Sequence, residues 1–205
     1  MATKLLHLDS SILGAQSVSR SLSAAVVDQL RSVEPSLEVT YRDLADAPLP
    51  HLTGAYFAAM RAPEAPVTPA LQAELAAGTK VLEEFLAADV IVIGLGLYNF
   101  GVPSQLKAWI DRIAVAGKTF RYTENGPVGL VGDKRVIVTI ARGGFYGEDS
   151  PARALEHAET YLRGLFAFVG IHNLQVISAD GISVGPDPRQ AAIVRAQSQI
   201  AELVI

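Results

Sequence analysis

Apolar positions along the chain fall into two rhythms, short continuous runs and helical repeats. Leu5 to Leu8 is a short apolar run that fits a buried strand. A serine-rich loop follows, and then Val18, Leu22, Ala25, Val26 and Leu30 recur on one helical face. Leu37 to Tyr41 alternates and predicts a second strand, while Ala88 to Gly94 is nearly all apolar, as in a central parallel strand covered on both faces. Leu106 to Ala114 reads as a helix with Leu106, Trp109, Ile110 and Ile113 on one side. Val136 to Ile140 is a fourth strand, and Ala152 to Val169 a helix with Leu155, Leu162, Leu165, Phe166 and Val169 turned inward. Leu174 to Ala179 is a fifth strand, and a helix over Ala191 to Val204 follows it. Strands alternating with helices predict an α/β fold, a doubly wound five-stranded parallel sheet in the order 2-1-3-4-5. In such sheets ligands bind at the carboxyl ends of the strands where the winding reverses, here beside strands one and three with help from strand four.

Two segments interrupt this alternation. Pro48 to Pro69 holds five of the eleven prolines around a helix-like stretch, Leu52 to Arg61. Gly117 to Gly132 reads as a hairpin with its turn at Asn125-Gly126. Long excursions in compact domains are commonly functional or interfacial. The second is assigned to function because a plain solvated loop would expose Phe120 and Tyr122. The first is balanced between function and a solvated loop.

Composition narrows the classes. A length of 205 residues, half of them hydrophobic and 19% charged, suits a single domain over 1–205 with a large core. A net charge of −4, with no Lys/Arg cluster, leaves nothing to hold nucleic acid. The absence of cysteine excludes disulfides, thiolate catalysis and iron–sulfur clusters. His7, His51, His157 and His172 are scattered without ligand spacing, so no metal site is expected. No run reaches the roughly 18 apolar residues of a spanning helix, and the apolar start meets Asp9 too soon for a signal peptide. The expectation is a cytoplasmic protein that does not engage a membrane. Trp109 is assigned to helix packing, and Glu83-Glu84 to a solvated helix face.

The chemistry lies in three loops at one sheet edge. The first, Asp9 to Ser19, is not G-x-G-x-x-G, which disfavours a dinucleotide site there. It offers hydroxyls at Ser10, Ser11, Ser17 and Ser19, with Ser17 placed to cap the helix. Hydroxyls and the free amides of a helix N-terminus suit a monophosphate; taken alone, the serines are better read as caps and turns. The second, Gly94 to Lys107, leaves the most apolar strand. Its glycines admit a flat ligand, Tyr98 and Phe100 can cover a ring face, backbone groups around Asn99 can read a ring edge, and Pro103 stands where helices favour proline. The third, Ala141 to Gly147, places Gly143 and Gly144 after a strand. Its Arg142 either balances charge on a reduced flavin or pairs with a surface carboxylate.

These stretches resemble the bacterial FMN-dependent NADH:quinone oxidoreductases, also called NADH-azoreductases. The resemblance runs through S-S-I-L, Y-N-F-x-x-P-S-Q-L-K-x-W-I-D, T-F-R-Y-T-E-N-G-P-x-G-L, R-G-G and G-I-x-x-G-P, in that order over most of the chain. It implies a flavodoxin-like homodimer with tightly but non-covalently bound FMN near the subunit interface. Carried over by position, FMN contacts fall at Ser11, at Ser17, Val18 and Ser19, at Leu97, Tyr98, Asn99 and Phe100, and at Ala141, Arg142, Gly143 and Gly144. The chain departs from the family pattern at Gly96-Leu97, where P-M is usual, and at Ala141, where Ser is usual, which removes one polar contact. Asp9 stands where a basic or polar residue often precedes the serine pair, and is expected to point away from a phosphate.

The activity implied is ping-pong electron transfer from NADH through FMN to quinones or aromatic azo compounds, with the cofactor carrying the chemistry. No acid/base dyad is visible, so no side chain is assigned a catalytic role. Phe120 and Tyr122 are candidates for the acceptor pocket together with Phe100, and Tyr146 is either a hydrogen-bond donor to the acceptor or a wall. Two other readings remain: a flavodoxin-type electron carrier, and a flavin-free binding protein on the same fold. Rapid NADH oxidation separates the first of these, and indifference to FMN the second.

Overall fold

A computed structural model describes residues 2–62 and 64–204; Pro63 of the proline-rich stretch lies outside them. The main sheet contains β1 (Lys4–Asp9), β2 (Glu38–Asp43), β3 (Val90–Gly96), β6 (Arg135–Arg142) and β7 (Asn173–Asp180). Its order is β2-β1-β3-β6-β7 with every neighbouring pair parallel, the predicted 2-1-3-4-5 winding. The remaining two strands, β4 (Phe120–Thr123) and β5 (Gly126–Gly129), form an antiparallel hairpin apart from that sheet. Its loop residues are Glu124 and Asn125, one position earlier than predicted. Gly126 opens β5 at φ 103°, a left-handed conformation in which glycine avoids Cβ strain.

Alternation along the central strands sends side chains to two separate cores. Ile91, Ile93 and Leu95 meet α3 (Pro69–Ala87), α4 (Ser104–Ile113) and α5 (Ala158–Phe168), where Phe85, Trp109 and Phe166 are fully buried. Val90 and Val92 on the other face meet α1 (Val18–Val33) and α6 (Pro186–Ala201) through Leu22, Val26, Leu30, Ala192 and Ala196. Trp109 packs edge-on to Phe85 at 5.8 Å, in agreement with its assignment to packing.

The structure corrects three expectations about helices. The nineteen residues of α3 form the longest helix among the described residues, which the apolar pattern did not mark beyond the Glu83-Glu84 face. Its buried positions, Gly78, Val81 and Phe85, are few but helically spaced, and Thr68 caps it by accepting from the Leu71 amide at 3.2 Å. The helix predicted over Ala152 to Val169 is broken into a 3-10 turn, Arg153–Leu155, and α5. Glu156 sits at the break: its carboxylate reaches forward to accept from the Glu159 amide in the first turn of α5 at 2.9 Å, and Leu155 before it is exposed. The helix expected from Ala191 starts five residues earlier, at Pro186, where a missing N–H is harmless. Within the proline-rich stretch, α2 (Gly54–Arg61) is capped by Thr53 and docks by laying Tyr56 against the Arg112 guanidinium at 3.9 Å.

Candidate functional site

The first loop leaves β1 at Asp9, makes a 3-10 turn at Gly14–Gln16 and enters α1. Ser17 is the N-cap: extended at φ −77°, it accepts the Arg20 amide at 3.3 Å and lies 3.1 Å from the Ser19 hydroxyl. As the first two helical residues, Val18 and Ser19 have amides with no helical carbonyl to bond. Ser11, 1% exposed, shares a hydrogen bond of 2.9 Å with the Tyr98 hydroxyl, which ties the first loop to the second. Ser10 is committed to the sheet, donating to the Gly94 carbonyl at 3.0 Å.

Asp9 is held beneath this loop. Its carboxylate accepts from Ser23 at 2.7 Å and from Tyr41 at 3.1 Å, with His7 Nε2 3.6 Å away. Burial, and then the charge of Asp9, push the Tyr41 phenol up to about 12, so it stays protonated and donates. His7 Nε2 is buried without a hydrogen-bond partner among the described residues. Gly94 is required here, because a Cβ would sit 2.4 Å from the Asp9 carboxylate.

The second loop begins where β3 ends. Leu97 N–H donates to the Ala141 carbonyl at 2.9 Å and knits the loop to β6. A tight turn follows, closed by the Gly101 amide on the Tyr98 carbonyl at 3.1 Å, with Asn99 at φ 46° and Phe100 at φ 71°. A left-handed Asn is tolerated; a left-handed Phe beside it is strained by about 1–3 kcal/mol, and such strain concentrates at functional loops. Gly96 lets the Tyr98 ring lie against β3, since a Cβ would be 3.0 Å from it.

The third loop contains a correction. Arg142 is 3% exposed, and its guanidinium meets Glu159 at 2.8 Å and Glu156 and Asp180 at 3.3 Å. Its charge is therefore matched by three carboxylates, one buried and two half-buried, rather than by a ligand or a fully exposed surface carboxylate. Burial raises the Glu159 carboxyl, but hydrogen bonds from Arg142 and Arg163 outweigh it and hold the group below its ordinary range. The Arg142 carbonyl accepts the Gly181 and Ile182 amides, and Gly143 approaches Ser183 so closely that a Cβ would be 3.2 Å from its hydroxyl. The G-I-x-x-G-P stretch thus backs the third loop, a role not assigned from sequence. Gly143 and Gly144 are themselves half-buried at the sheet edge.

The aromatic candidates divide. Tyr146 stands beside Phe100, ring centroids 6.4 Å apart. Phe120 is buried against Phe168 at 4.6 Å, while Tyr122 next to it is 74% exposed. These two line a groove of about 440 Å³ with Leu52, Phe57, Met60 and Arg61 from α2 and its approach; Tyr146 is not part of it.

These features fit a flavin mononucleotide. Amides without a helical partner and buried hydroxyls stand at the start of α1, and a strained turn displays backbone groups near two glycines that follow the neighbouring strand β6. Among the described residues no group of three or more His, Asp or Glu side chains could hold a metal ion.

A doubly wound sheet with its polar loops gathered at the carboxyl edge defines a flavodoxin-like protein, and the family described as having a flavodoxin-like fold matches residues 3–204. An FMN-dependent NADH:quinone oxidoreductase 2 of Bradyrhizobium diazoefficiens is 62% identical, over 94% of this chain and 95% of that protein. An FMN-dependent NADH:quinone oxidoreductase of Xanthomonas campestris is 56% identical, over 98% of this chain and all of its own length (100%). An azoreductase from Bacillus anthracis superposes with a TM-score of 0.87 at 32% identity, covering 98% of this chain and 97% of its own. An FMN-dependent NADH-azoreductase from the same species, solved with FMN, gives 0.86 at 27% identity, covering 98% of both chains. The chain belongs to the FMN-dependent NADH:quinone oxidoreductase family.

Proposed function

We propose that this protein is an FMN-dependent enzyme that oxidises NADH and reduces quinones and aromatic azo compounds, as a single domain over 1–205. The observation that carries this reading is the convergence of the three loops, locked to one another by Ser11–Tyr98 and Leu97–Ala141, at the edge where the winding reverses. When bound, FMN supplies the two-electron redox chemistry that links the nicotinamide to the acceptor.

The chain's part is to bind and orient. Ser17, Val18 and Ser19 hold the phosphate through amides and hydroxyls, with the partial positive charge of the α1 N-terminus behind them. Ser11 extends that polar wall. The backbone of Leu97, Tyr98, Asn99 and Phe100 reads one edge of the isoalloxazine, and Ala141, Arg142, Gly143 and Gly144 contribute backbone from the neighbouring strand. Phe120 and Tyr122, in the groove beside α2, receive the aromatic acceptor, and Tyr146 walls the site beside Phe100.

Leu52, Phe57, Met60 and Tyr122 are exposed around one groove, which suits the homodimer that the family resemblance implies. Among the described residues no helix is long and apolar enough to cross a membrane, in keeping with a cytoplasmic enzyme acting on small acceptors. Steady-state kinetics of FMN-reconstituted protein with varied NADH and benzoquinone tests the reading. Parallel double-reciprocal lines are expected, and absence of NADH oxidation with FMN bound would leave an electron carrier instead.

A further inference from the structure

Arg20 sits in the first turn of α1, three residues after the cap, and its guanidinium is engaged by the loop before the helix and by the neighbouring strand. Its Nε and Nη2 both donate to the Ser11 carbonyl, at 3.0 and 2.8 Å. The same guanidinium pairs with Asp43 at the carboxyl end of edge strand β2, with Nη2 2.7 Å from Oδ1 and Nη1 on Oδ2. Asp43 is fixed in turn, since Oδ1 accepts the Ala45 and Asp46 amides at 2.9 and 3.2 Å. Hydrogen bonding from Arg20 is the main cause that holds the Asp43 carboxyl below its ordinary value, so the pair stays ionised at neutral pH.

The peptide plane gives this clamp a consequence. In a trans peptide the carbonyl and the following N–H point in opposite directions. Fixing the Ser11 carbonyl on Arg20 therefore aims the Ile12 N–H to the other side of the loop. Among the described residues no acceptor takes that N–H, whereas the neighbouring Leu13 amide is taken by the Ser11 hydroxyl. The geometry points to Arg20 as a positioning residue: held by Asp43, it sets the Ser11–Ile12 peptide so that a backbone donor faces the phosphate of FMN, without lending its own charge. This rests on the flavin reading above and assigns a role to a residue outside the loops that contact the cofactor. It also accounts for how a loop that begins with Asp9 serves an anion: the arginine's charge is absorbed by Asp43, and the loop works through oriented amides.

The test is a fluorescence titration of apoprotein with FMN and with riboflavin, which lacks the phosphate, for wild type, Arg20→Ala, Arg20→Lys and Asp43→Asn. Thermal unfolding of each apoprotein is measured alongside. Loss of one oriented amide to a charged phosphate weakens FMN binding in Arg20→Ala by about tenfold or more. Riboflavin affinity stays within about twofold, so the preference for FMN falls. Lys lacks the planar fork that grips a carbonyl and a carboxylate together, so Arg20→Lys recovers only part of the loss. Asp43→Asn shifts the preference in the same direction by less. FMN binding within twofold of wild type in Arg20→Ala overturns the inference. So does an equal loss of FMN and riboflavin with a lowered unfolding temperature, the mark of a merely structural arginine. Wild-type apoprotein that binds neither flavin instead sinks the flavin reading on which the inference rests.

Discussion

The carboxyl edge of the sheet and the groove beside α2 are built on opposite terms. At the sheet edge polar side chains are tied to one another, buried or half-buried: Ser11 to Tyr98, Ser17 to Ser19, Arg20 to Asp43, and Arg142 to three carboxylates. At the groove, Phe57, Met60 and Tyr122 stand exposed, and Arg61 lies over the Phe57 ring at 4.4 Å, with few polar ties. A tied polar edge recognises one ligand with one charge pattern. An open apolar groove accepts many flat molecules, or the apolar face of a second subunit. The contrast assigns tight cofactor binding to the first region and broad acceptor or partner contact to the second.

Substitutions can break that contrast, beginning with the largest effect. Arg142→Ala strands three carboxylates, and breaking a buried ion pair of this kind lowers stability by about 3–5 kcal/mol. The unfolding temperature falls by roughly 6 °C or more in a thermal scan. The same variant changes the acid limb of stability. The folded Glu159 carboxyl lies below its ordinary 4.5, so its contribution is complete above that pH and is lost as pH falls through the lower, folded value. Wild type therefore weakens steeply below about pH 4.5, and Arg142→Ala weakens less, as denaturation at stepped pH will show.

Gly129→Ala comes next. A Cβ there would lie 2.1 Å from the Gly170 amide, backbone against backbone, which costs about 1–3 kcal/mol and displaces the hairpin that carries Phe120 and Tyr122. It should also raise the KM for quinones more than it weakens FMN binding. Ser17→Ala removes the cap of α1, worth about 1 kcal/mol, and weakens FMN binding in the same titration. Tyr122→Ala touches an exposed side chain, so stability stays within about 0.5 kcal/mol while the KM for quinone or azo acceptors shifts several-fold. A Tyr122→Ala protein as destabilised as Arg142→Ala would erase the distinction between the two regions.

Much of this was legible in the residues. The apolar run at β3 announced a central parallel strand, and Ser17 announced a helix cap, because both follow from local chemistry. Arg20 was silent: an arginine in a first helical turn looks solvated unless the end of β2 is known to lie beside it. Arg142 was misjudged for a related reason. Its three partners come from Glu156, Glu159 and Asp180, which only the packing of α5 against β7 brings together. The unmarked α3 has sparse buried positions, and the broken α5 hid behind a helical repeat that is interrupted at the buried Glu156. The strain at Phe100 is a backbone property that the residue type there does not declare.

The most direct test of the central claim is stopped-flow absorbance of the flavin band in FMN-reconstituted protein, mixed first with NADH and then with benzoquinone. Rapid bleaching followed by rapid recovery is the predicted result. Bound FMN that neither NADH nor NADPH bleaches would contradict it.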